Sequence, residues 1–514
     1  MIGAECLLRT LLANQVDLCL MNPGTSEMQF VSALDRVPEM RGVLCLFEGV
    51  CSGAADGYAR MTGRPAATLL HLGPGLANAL SNLHNARKAF SPIVNIVGEH
   101  STAHLRHDAP LTADIEAFAR PVSGWVRTLE SAGAMGEAAS AVVAAALGPP
   151  GKVATLIVPA DFSWSEAGEP GCHAPLSAKS LPDGEQIRAA ASALRSGQKV
   201  GLLLGGSTLQ ARGLAAAERV RAALGVRIFA HRYAARTTRG AGVPSIERIP
   251  YFPEPAQALL AGLDRLILIE ARPPVSFFGY PGIRSTLAPE NCVFEVLASE
   301  IQDGAAALEQ LADELGAPPA EIASVARPEL PAGEPLTAAT VGRAVGALLP
   351  EGAIVADETV SSAEAIWPHL AGAAMHDHLP VTGGSIGQGL PVAVGAALAC
   401  PFRKVVALEA DGSAMYSPQA LWTMARERLD VTVVILANRR YRILDIEMQR
   451  TGAGAVGPRA EEMIDLTDPE PDWIKLARGF GVEAVRATTA NEFIREFGAA
   501  MQERGPRLIE AAIA

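Results

Sequence analysis

Aromatic side chains are scarce: Phe, Trp and Tyr make up 5% of the 514 residues. Basic charge is also short, with 43 Lys and Arg against 55 Asp and Glu and a net charge of −12. A protein that tracks phosphates needs a basic face, so this balance argues against a nucleic-acid partner. Charged residues are only 19% against 49% hydrophobic, which argues against disorder. Long apolar runs are missing too. Met1–Asn22 is interrupted by Glu5, Arg9 and Asp17, and the Ala-rich stretch Ala132–Gly148 carries Glu137, so neither reads as a membrane span. The seven cysteines (Cys6, Cys19, Cys45, Cys51, Cys172, Cys292, Cys400) are odd in number and scattered, with no C-x-x-C and no Cys/His cluster. That speaks against a disulfide framework and against structural zinc. The expectation is a soluble, cytoplasmic, globular chain long enough for three to four domains at about 150 residues each.

Ala, Gly, Val and Leu dominate what is present. Runs such as Ala67–His71, Ile93–Val97, Ala154–Val158, Val200–Leu204, Arg265–Ile269, Val405–Leu408 and Val431–Leu436 are short, apolar and separated by Ala-rich helical stretches. This predicts an α/β fold with buried, doubly wound parallel sheets. Two segments rich in Pro, Gly and small polar residues, Ser165–Gln186 and Gly316–Thr337, read as linkers. They divide the chain into three α/β domains at 1–165, 187–315 and 338–514.

In the third unit, Glu409-Ala410-Asp411-Gly412-Ser413 follows one apolar run, and Asn438 closes the next, 27 residues after Asp411. Ends of neighbouring parallel strands share one edge of the sheet, where ligands bind. Asp411 and Asn438 can therefore offer oxygens to one hard cation, while Gly412 and Ser413 open a helix toward an anion. A helix cap at Asp411 and a turn at Asn438 explain the same residues structurally. The wider text separates the two. Asp411-Gly412-Ser413 with Ala437-Asn438 resembles the thiamine-diphosphate (ThDP) motif of the 2-oxo acid decarboxylase and acetolactate synthase superfamily, in wording nearest to benzoylformate decarboxylase. The resemblance implies Mg²⁺ held by Asp411, Asn438 and the carbonyl of Arg440, with the diphosphate on Gly412 and Ser413. Ala410 departs from the family's first Gly, and Ala437-Asn438-Arg439-Arg440 from its N-N-x-G.

The resemblance extends over nearly the whole chain, in the order pyrimidine-binding, central and diphosphate-binding domain. Glu48, with Gly53-Ala54-Ala55-Asp56-Gly57-Tyr58-Ala59-Arg60 after it, is similar to the family's glutamate helix. The implied role is a hydrogen bond to the aminopyrimidine that favours its imino tautomer, and Phe47 and Val50 set this Glu among apolar neighbours. Asn22-Pro23-Gly24-Thr25-Ser26-Glu27 matches the first loop, so Pro23 and Gly24 fall beside the cofactor. The same resemblance implies Thr25, or its neighbour Ser26, at the substrate carboxylate. Leu70-His71-Leu72-Gly73-Pro74-Gly75-Leu76-Ala77-Asn78 matches the next, which implies Gly75 and Asn78 at the cofactor and His71 as proton donor or relay. A lone His on an apolar strand is otherwise a structural residue, and the rival His100 reads as a surface-loop residue. In the third unit, Thr382-Gly383-Gly384-Ser385-Ile386-Gly387 resembles the loop that carries the bent cofactor, with Gly384 offering a carbonyl and Ile386 filling the bend. Ser361 is expected at the diphosphate, and Tyr441, Ile443 and Leu444 close the site.

Two features are missing or weak. No His-His pair occurs in the first unit, and Phe278 falls where the family brings a second His from the central domain. Phe277 and Phe278 read as core residues. Leu203-Leu204-Gly205-Gly206-Ser207 would let a nucleotide approach, as FAD does in related acetolactate synthases, but the full G-x-G-x-x-G is absent and ordinary helix entry explains the turn. The resemblance implies decarboxylation of a small 2-oxo acid, carboligation of the resulting enamine, or both. Its alternatives are an acetolactate synthase catalytic chain joining two pyruvates and a catalytically silent regulatory relative. It also implies a homodimer at minimum, commonly a homotetramer, because Glu48 of one subunit serves the cofactor of another.

Overall fold

The computed structural model describes residues 1–172, 177–454 and 456–513. Part of the first expected linker, residues 173–176, therefore lies outside the described residues. Three sheets organise the rest. The first is built from β1 (Leu18–Asn22), β2 (Arg41–Leu44), β3 (Ala66–Leu70), β4 (Ile93–Glu99), β5 (Trp125–Thr128) and β6 (Val153–Pro159). Its order is β2-β1-β3-β4-β6-β5 and every pair is parallel. β3, β4 and β6 are buried along their whole length, as largely apolar strands covered by helices on both faces should be.

The central segment supplies β7 (Val200–Leu204), β8 (Arg227–Ala230), β9 (Thr237–Arg239), β10 (Glu247–Arg248), β11 (Arg265–Ile269) and β12 (Val293–Ala298). Five of these form a parallel sheet in the order β10-β8-β7-β11-β12. β9 leaves it. The third sheet contains β13 (Ala353–Glu358), β14 (His376–Pro380), β15 (Val405–Ala410), β16 (Val431–Ala437), β17 (Glu483–Ala487) and β18 (Arg507–Ala512), and β9 adds to its edge antiparallel to β14. Its order is β17-β18-β16-β15-β13-β14-β9. Apart from β9, the fold is three doubly wound parallel sheets.

Each order reverses within the sheet: between β1 and β3, between β7 and β11, and between β13 and β15. Loops leaving the strand ends at a reversal turn opposite ways and leave a crevice for ligands. The first and third sheets are joined by two helices, Glu48–Thr62 and Gly389–Ala399. Glycine lets their backbones touch. A Cβ on Gly395 would lie 1.9 Å from the Ala54 carbonyl oxygen, and one on Gly57 would lie 2.2 Å from that of Val392. Within this seam Arg60 forks onto Asp56, both side chains fully buried, and also donates to the Pro380 carbonyl and Thr382 Oγ1. A buried charge pair is tolerable only when its remaining hydrogen bonds are made, as they are here by Ser91 and Gln388 on Asp56.

Candidate active site

The first half of the site forms where β1 and β3 end side by side, Asn22 opposite Leu70. After β1, Pro23 and Gly24 lead into one 3₁₀ turn, Thr25–Glu27. The Glu27 carboxylate turns back to accept the Gly24 N–H at 2.8 Å. After β3, His71 caps the helix Leu72–Ala89. Its Nδ1 lies 2.8 Å from Glu27 Oε2 and 3.2 Å from Ser26 Oγ. A carboxylate only accepts, so Nδ1 carries the hydrogen and Nε2 is left for other work. Gly24 is required under this ring, since a Cβ there would stand 2.2 Å from it. Gly98 is required beside Glu27, where a Cβ would stand 1.8 Å from Oε1. Leu72, next to the histidine, is held at φ +50°, a strained conformation for a residue with a branched side chain. Thr25 is exposed, so the structure brings Ser26 rather than Thr25 to the histidine. His100 stands half-buried in the loop after β4.

Glu48 opens the helix Glu48–Thr62 and is only 7% exposed. Asn78 Nδ2 donates to its Oε2 at 3.0 Å, and Gly75 leaves room beside Oε1, which would be 3.4 Å from a Cβ. Among the described residues, Asn78 thus holds one carboxylate oxygen, and no hydrogen bond reaches the other.

The second half forms at the reversal of the third sheet. Asp411 follows β15; its Oδ1 accepts from Gly412 N at 2.9 Å and its Oδ2 from Arg439 N at 2.6 Å. Asn438 follows β16, and its Oδ1 accepts from Arg440 N at 3.0 Å. Burial pushes the Asp411 carboxyl up from its ordinary range. The Arg440 guanidinium is drawn outward to Asp445 and Glu461, while its carbonyl accepts from Arg442 N at 2.8 Å. The Tyr441 ring lies against Gly412, where a Cβ would be 2.4 Å away. Across the crevice, Ser361 sits half-buried in the turn Val360–Ser362 after β13, and Val360 is forced to φ +46°. Ser413 is buried behind Asp411.

The loop Thr382–Gln388 bridges the two halves. Glu358, at the end of β13, accepts from Gly387 N at 2.6 Å and from Gly389 N at 2.5 Å. Burial raises its carboxyl to about 7, against the pull of those N–H groups, and neighbouring Asp357 adds to the rise. From the first unit, Asn85 donates to the Ser385 carbonyl at 2.7 Å and Asn82 to that of Gly387 at 3.3 Å. Gly384 has φ +79°, which favours glycine, and Ile386 is half-buried two residues on.

The expected core pair is corrected here. Phe277 and Phe278 are 37% and 53% exposed. Their segment makes one isolated bridge, Val275 with Thr286, and otherwise runs as surface loop, so no second sheet or helix face covers the rings. The Phe277 ring instead covers Gly384, where a Cβ would be 2.4 Å away, and packs with Tyr233 and Tyr251. Sequence reasoning also passed over Glu27 and Glu358. Glu27 stood in plain view at the end of the first loop, but only the neighbouring strand end shows what it holds.

Among the described residues no cluster of three or more His, Cys, Asp or Glu could hold a metal. The oxygens that this sheet edge offers a hard cation are of mixed kind: the Asp411 carboxylate, the Asn438 amide and the Arg440 carbonyl. Models of the thiamine pyrophosphate enzyme N-terminal and C-terminal TPP binding domains match residues 1–118 and 363–511. The chain is 50% identical over 513 residues to the acetolactate synthase-like large subunit IlvX of Mycobacterium tuberculosis, covering 99% of each. It is 29% identical to benzoylformate decarboxylase of Pseudomonas aeruginosa, covering 95% of this chain and 94% of that one. A 4-hydroxybenzoylformate decarboxylase from Rhodococcus jostii RHA1 superposes with a TM-score of 0.87 at 25% identity, covering 100% and 99% of the two chains. The chain belongs to the thiamine-pyrophosphate enzyme family, and it is a ThDP-dependent enzyme of the lyase and carboligase kind.

Proposed function

We propose that this enzyme decarboxylates a small 2-oxo acid with ThDP and Mg²⁺, in the manner of benzoylformate decarboxylase, with carboligation to a second carbonyl as its branch reaction. The observation that supports it most is the Ser26–His71–Glu27 network at the edge of the first sheet, one strand from the loop that precedes Glu48. The donor set fits the groups it would take. Asp411, Asn438 and the Arg440 carbonyl supply three oxygens, each with a lone pair beyond the hydrogen bond it already accepts. Gly412, Ser413 and Ser361 would face the diphosphate. Pro23, Gly24, Gly75, Asn78, Gly384, Ile386 and Tyr441 would line the rings.

Bound there, ThDP supplies the nucleophilic carbon and the electron sink that lets CO₂ leave. The remaining work belongs to the chain. Glu48 exchanges a proton with the aminopyrimidine at Oε1, the oxygen that Asn78 does not hold. His71 donates or receives a proton at Nε2, fixed by Glu27 in the tautomer that leaves this atom free. Ser26 anchors the substrate carboxylate and the histidine together. Phe277 and Tyr441 keep water from the cofactor edge.

The 50% identical relative favours a second reading, an acetolactate synthase chain that joins two pyruvates. A silent regulatory relative is disfavoured by the intact Glu48, Asp411 and Asn438. The assembly in this reading is a cytoplasmic homodimer or homotetramer in which Glu48 serves the partner's cofactor. Product NMR decides. Protein with ThDP and Mg²⁺ is given pyruvate, benzoylformate and branched 2-oxo acids. Aldehyde with CO₂ is expected; acetolactate from pyruvate as the main product would establish the second reading, and no turnover of any acid would reject both.

A further inference from the structure

The crevice of the central sheet lies between β7 and β11, and its two sides are the turn Gly205-Gly206-Ser207 and Glu270. In an open α/β sheet this is where the phosphate of a nucleotide is received, by N–H groups at the start of a turn or helix. Here those groups are taken. Ser207 N donates to Glu270 Oε2 at 2.7 Å, Ser207 Oγ to Oε1 at 2.8 Å, and Gly304 N to Oε1 at 3.0 Å. Gly304 is the first residue of the eleven-residue helix Gly304–Glu314, so the carboxylate also meets the positive end of that helix. Lys179 Nζ completes the shell at 2.7 Å.

Four donors converge on one carboxylate whose side chain is 3% exposed. The backbone is shaped around it. Glu270 is held at φ +47°, a left-handed conformation that strains a non-glycine residue. A Cβ on Gly206 would stand 2.2 Å from Glu270 Oε2, and one on Gly304 would stand 2.8 Å from its Cγ. The mouth is strapped as well: Ser180 bridges Gln302, accepts from Asp303 N at 2.9 Å and donates to the Ile301 carbonyl at 3.2 Å, which fixes Lys179 over the crevice. Asp303 adds a further carboxylate at the helix cap, where its side chain accepts from Ala306 N and pairs with Arg212 at 3.2 Å.

We infer that Glu270 is an internal anion that permanently fills the phosphate cradle of the central domain, so that this domain takes no FAD or other nucleotide. The arrangement does not fit such a group. A phosphate would have to displace a carboxylate from four hydrogen bonds while meeting Asp303 beside it. The inference does not depend on which 2-oxo acid the enzyme uses, and it holds for either reading of the function. It further implies that removing the carboxylate leaves a cradle for a small oxyanion, with inorganic phosphate as the simplest probe.

The test uses the full-length enzyme saturated with ThDP and Mg²⁺, so that phosphate cannot act through the cofactor site. Wild type is expected to purify without flavin absorbance and to show no change in Tm with ADP, FAD or phosphate. Glu270→Ala should melt about 4 °C lower or more, and phosphate should raise its Tm again in a concentration-dependent way. Glu270→Gln should also melt lower but ignore phosphate, because the amide still fills the space. Decarboxylation should persist in both variants, since Glu270 is outside the catalytic machinery. Flavin held by wild type, a Tm rise with ADP, or a Glu270→Ala protein as stable as wild type and indifferent to phosphate would each overturn the inference. Should Glu270→Ala fail to accumulate, a double-mutant cycle of Glu270→Gln with Lys179→Ala decides: coupled losses support it, and additive ones reject it.

Discussion

A histidine becomes useful when something fixes which nitrogen is protonated, and here that partner is Glu27. Replacing Glu27 by Gln keeps the shape but lets the amide donate to Nδ1, which invites the other tautomer. We expect kcat to fall about 10–100-fold with KM little changed, read from steady-state kinetics on the substrate that product NMR identifies. Glu48→Gln should cost more, about 100-fold or beyond, with the far-UV spectrum unaltered; full activity in that variant would remove Glu48 from the reaction. Buried titratable residues set the response to pH. Burial depresses His376 to about 3 and His231 to about 4, so the folded chain keeps both neutral while the unfolded chain protonates them near pH 6.5. Stability from these two is present above pH 6.5 and is lost as pH falls toward 4 and 3. Glu358 works in the opposite sense: its stabilising share is present below about pH 4.5 and is lost as pH rises through about 7. Denaturant midpoints taken from pH 5 to 8 should show both slopes, and His376→Gln should shallow the acid one.

The helices Glu48–Thr62 and Gly389–Ala399 carry the site's precision, because each begins at one half of it: the first with Glu48, the second directly after the loop Thr382–Gln388. Their glycines are a packing requirement. In Gly395→Ala the new methyl would stand 1.9 Å from the Ala54 carbonyl and force the helices apart. Overpacking of this kind costs about 1–3 kcal/mol. The expected outcome is a lower Tm together with weaker ThDP binding by calorimetry, since separation displaces both Glu48, at the start of one helix, and the loop Thr382–Gln388, ahead of the other. Normal ThDP affinity in a destabilised variant would show that the seam only holds the fold. The polar character of the helix Glu48–Thr62 has the same origin: Asp56, Arg60 and Ser52 are buried because this helix is covered on both sides, and their partners come from three other segments.

At the scale of the whole molecule, the first and third sheets hold the halves of the proposed cofactor site and the central sheet makes up the remaining layer. The third sheet borrows β9 from the central segment, so the units are laced together and do not hang on simple linkers. Large apolar side chains such as Leu46, Met415 and Tyr416 are exposed in the single chain close to Glu48 and Asp411 in sequence. A subunit interface that shares Glu48 between two chains would cover them. Light scattering should therefore report a mass of at least twice 53.6 kDa in the presence of ThDP and Mg²⁺; an active monomer would exclude a cofactor shared between subunits.

What the sequence determined by itself was local. Buried parallel strands announce themselves as apolar runs. The segments around Glu48, Asp411 and Asn438 are short enough to be recognised along the chain, and with them the cofactor class. What only the tertiary structure decided were contacts between distant segments. Strand adjacency turned Ser26 inward and Thr25 outward, set Glu27 against His71 across 44 residues, laid Phe277 over Gly384, and closed Glu270 into the cradle of Ser207 and Gly304. Hydropathy and spacing describe a residue's own neighbourhood in the chain. Which carboxylate meets which donor depends on the order of strands in a sheet, and that order is settled only when the whole layer packs.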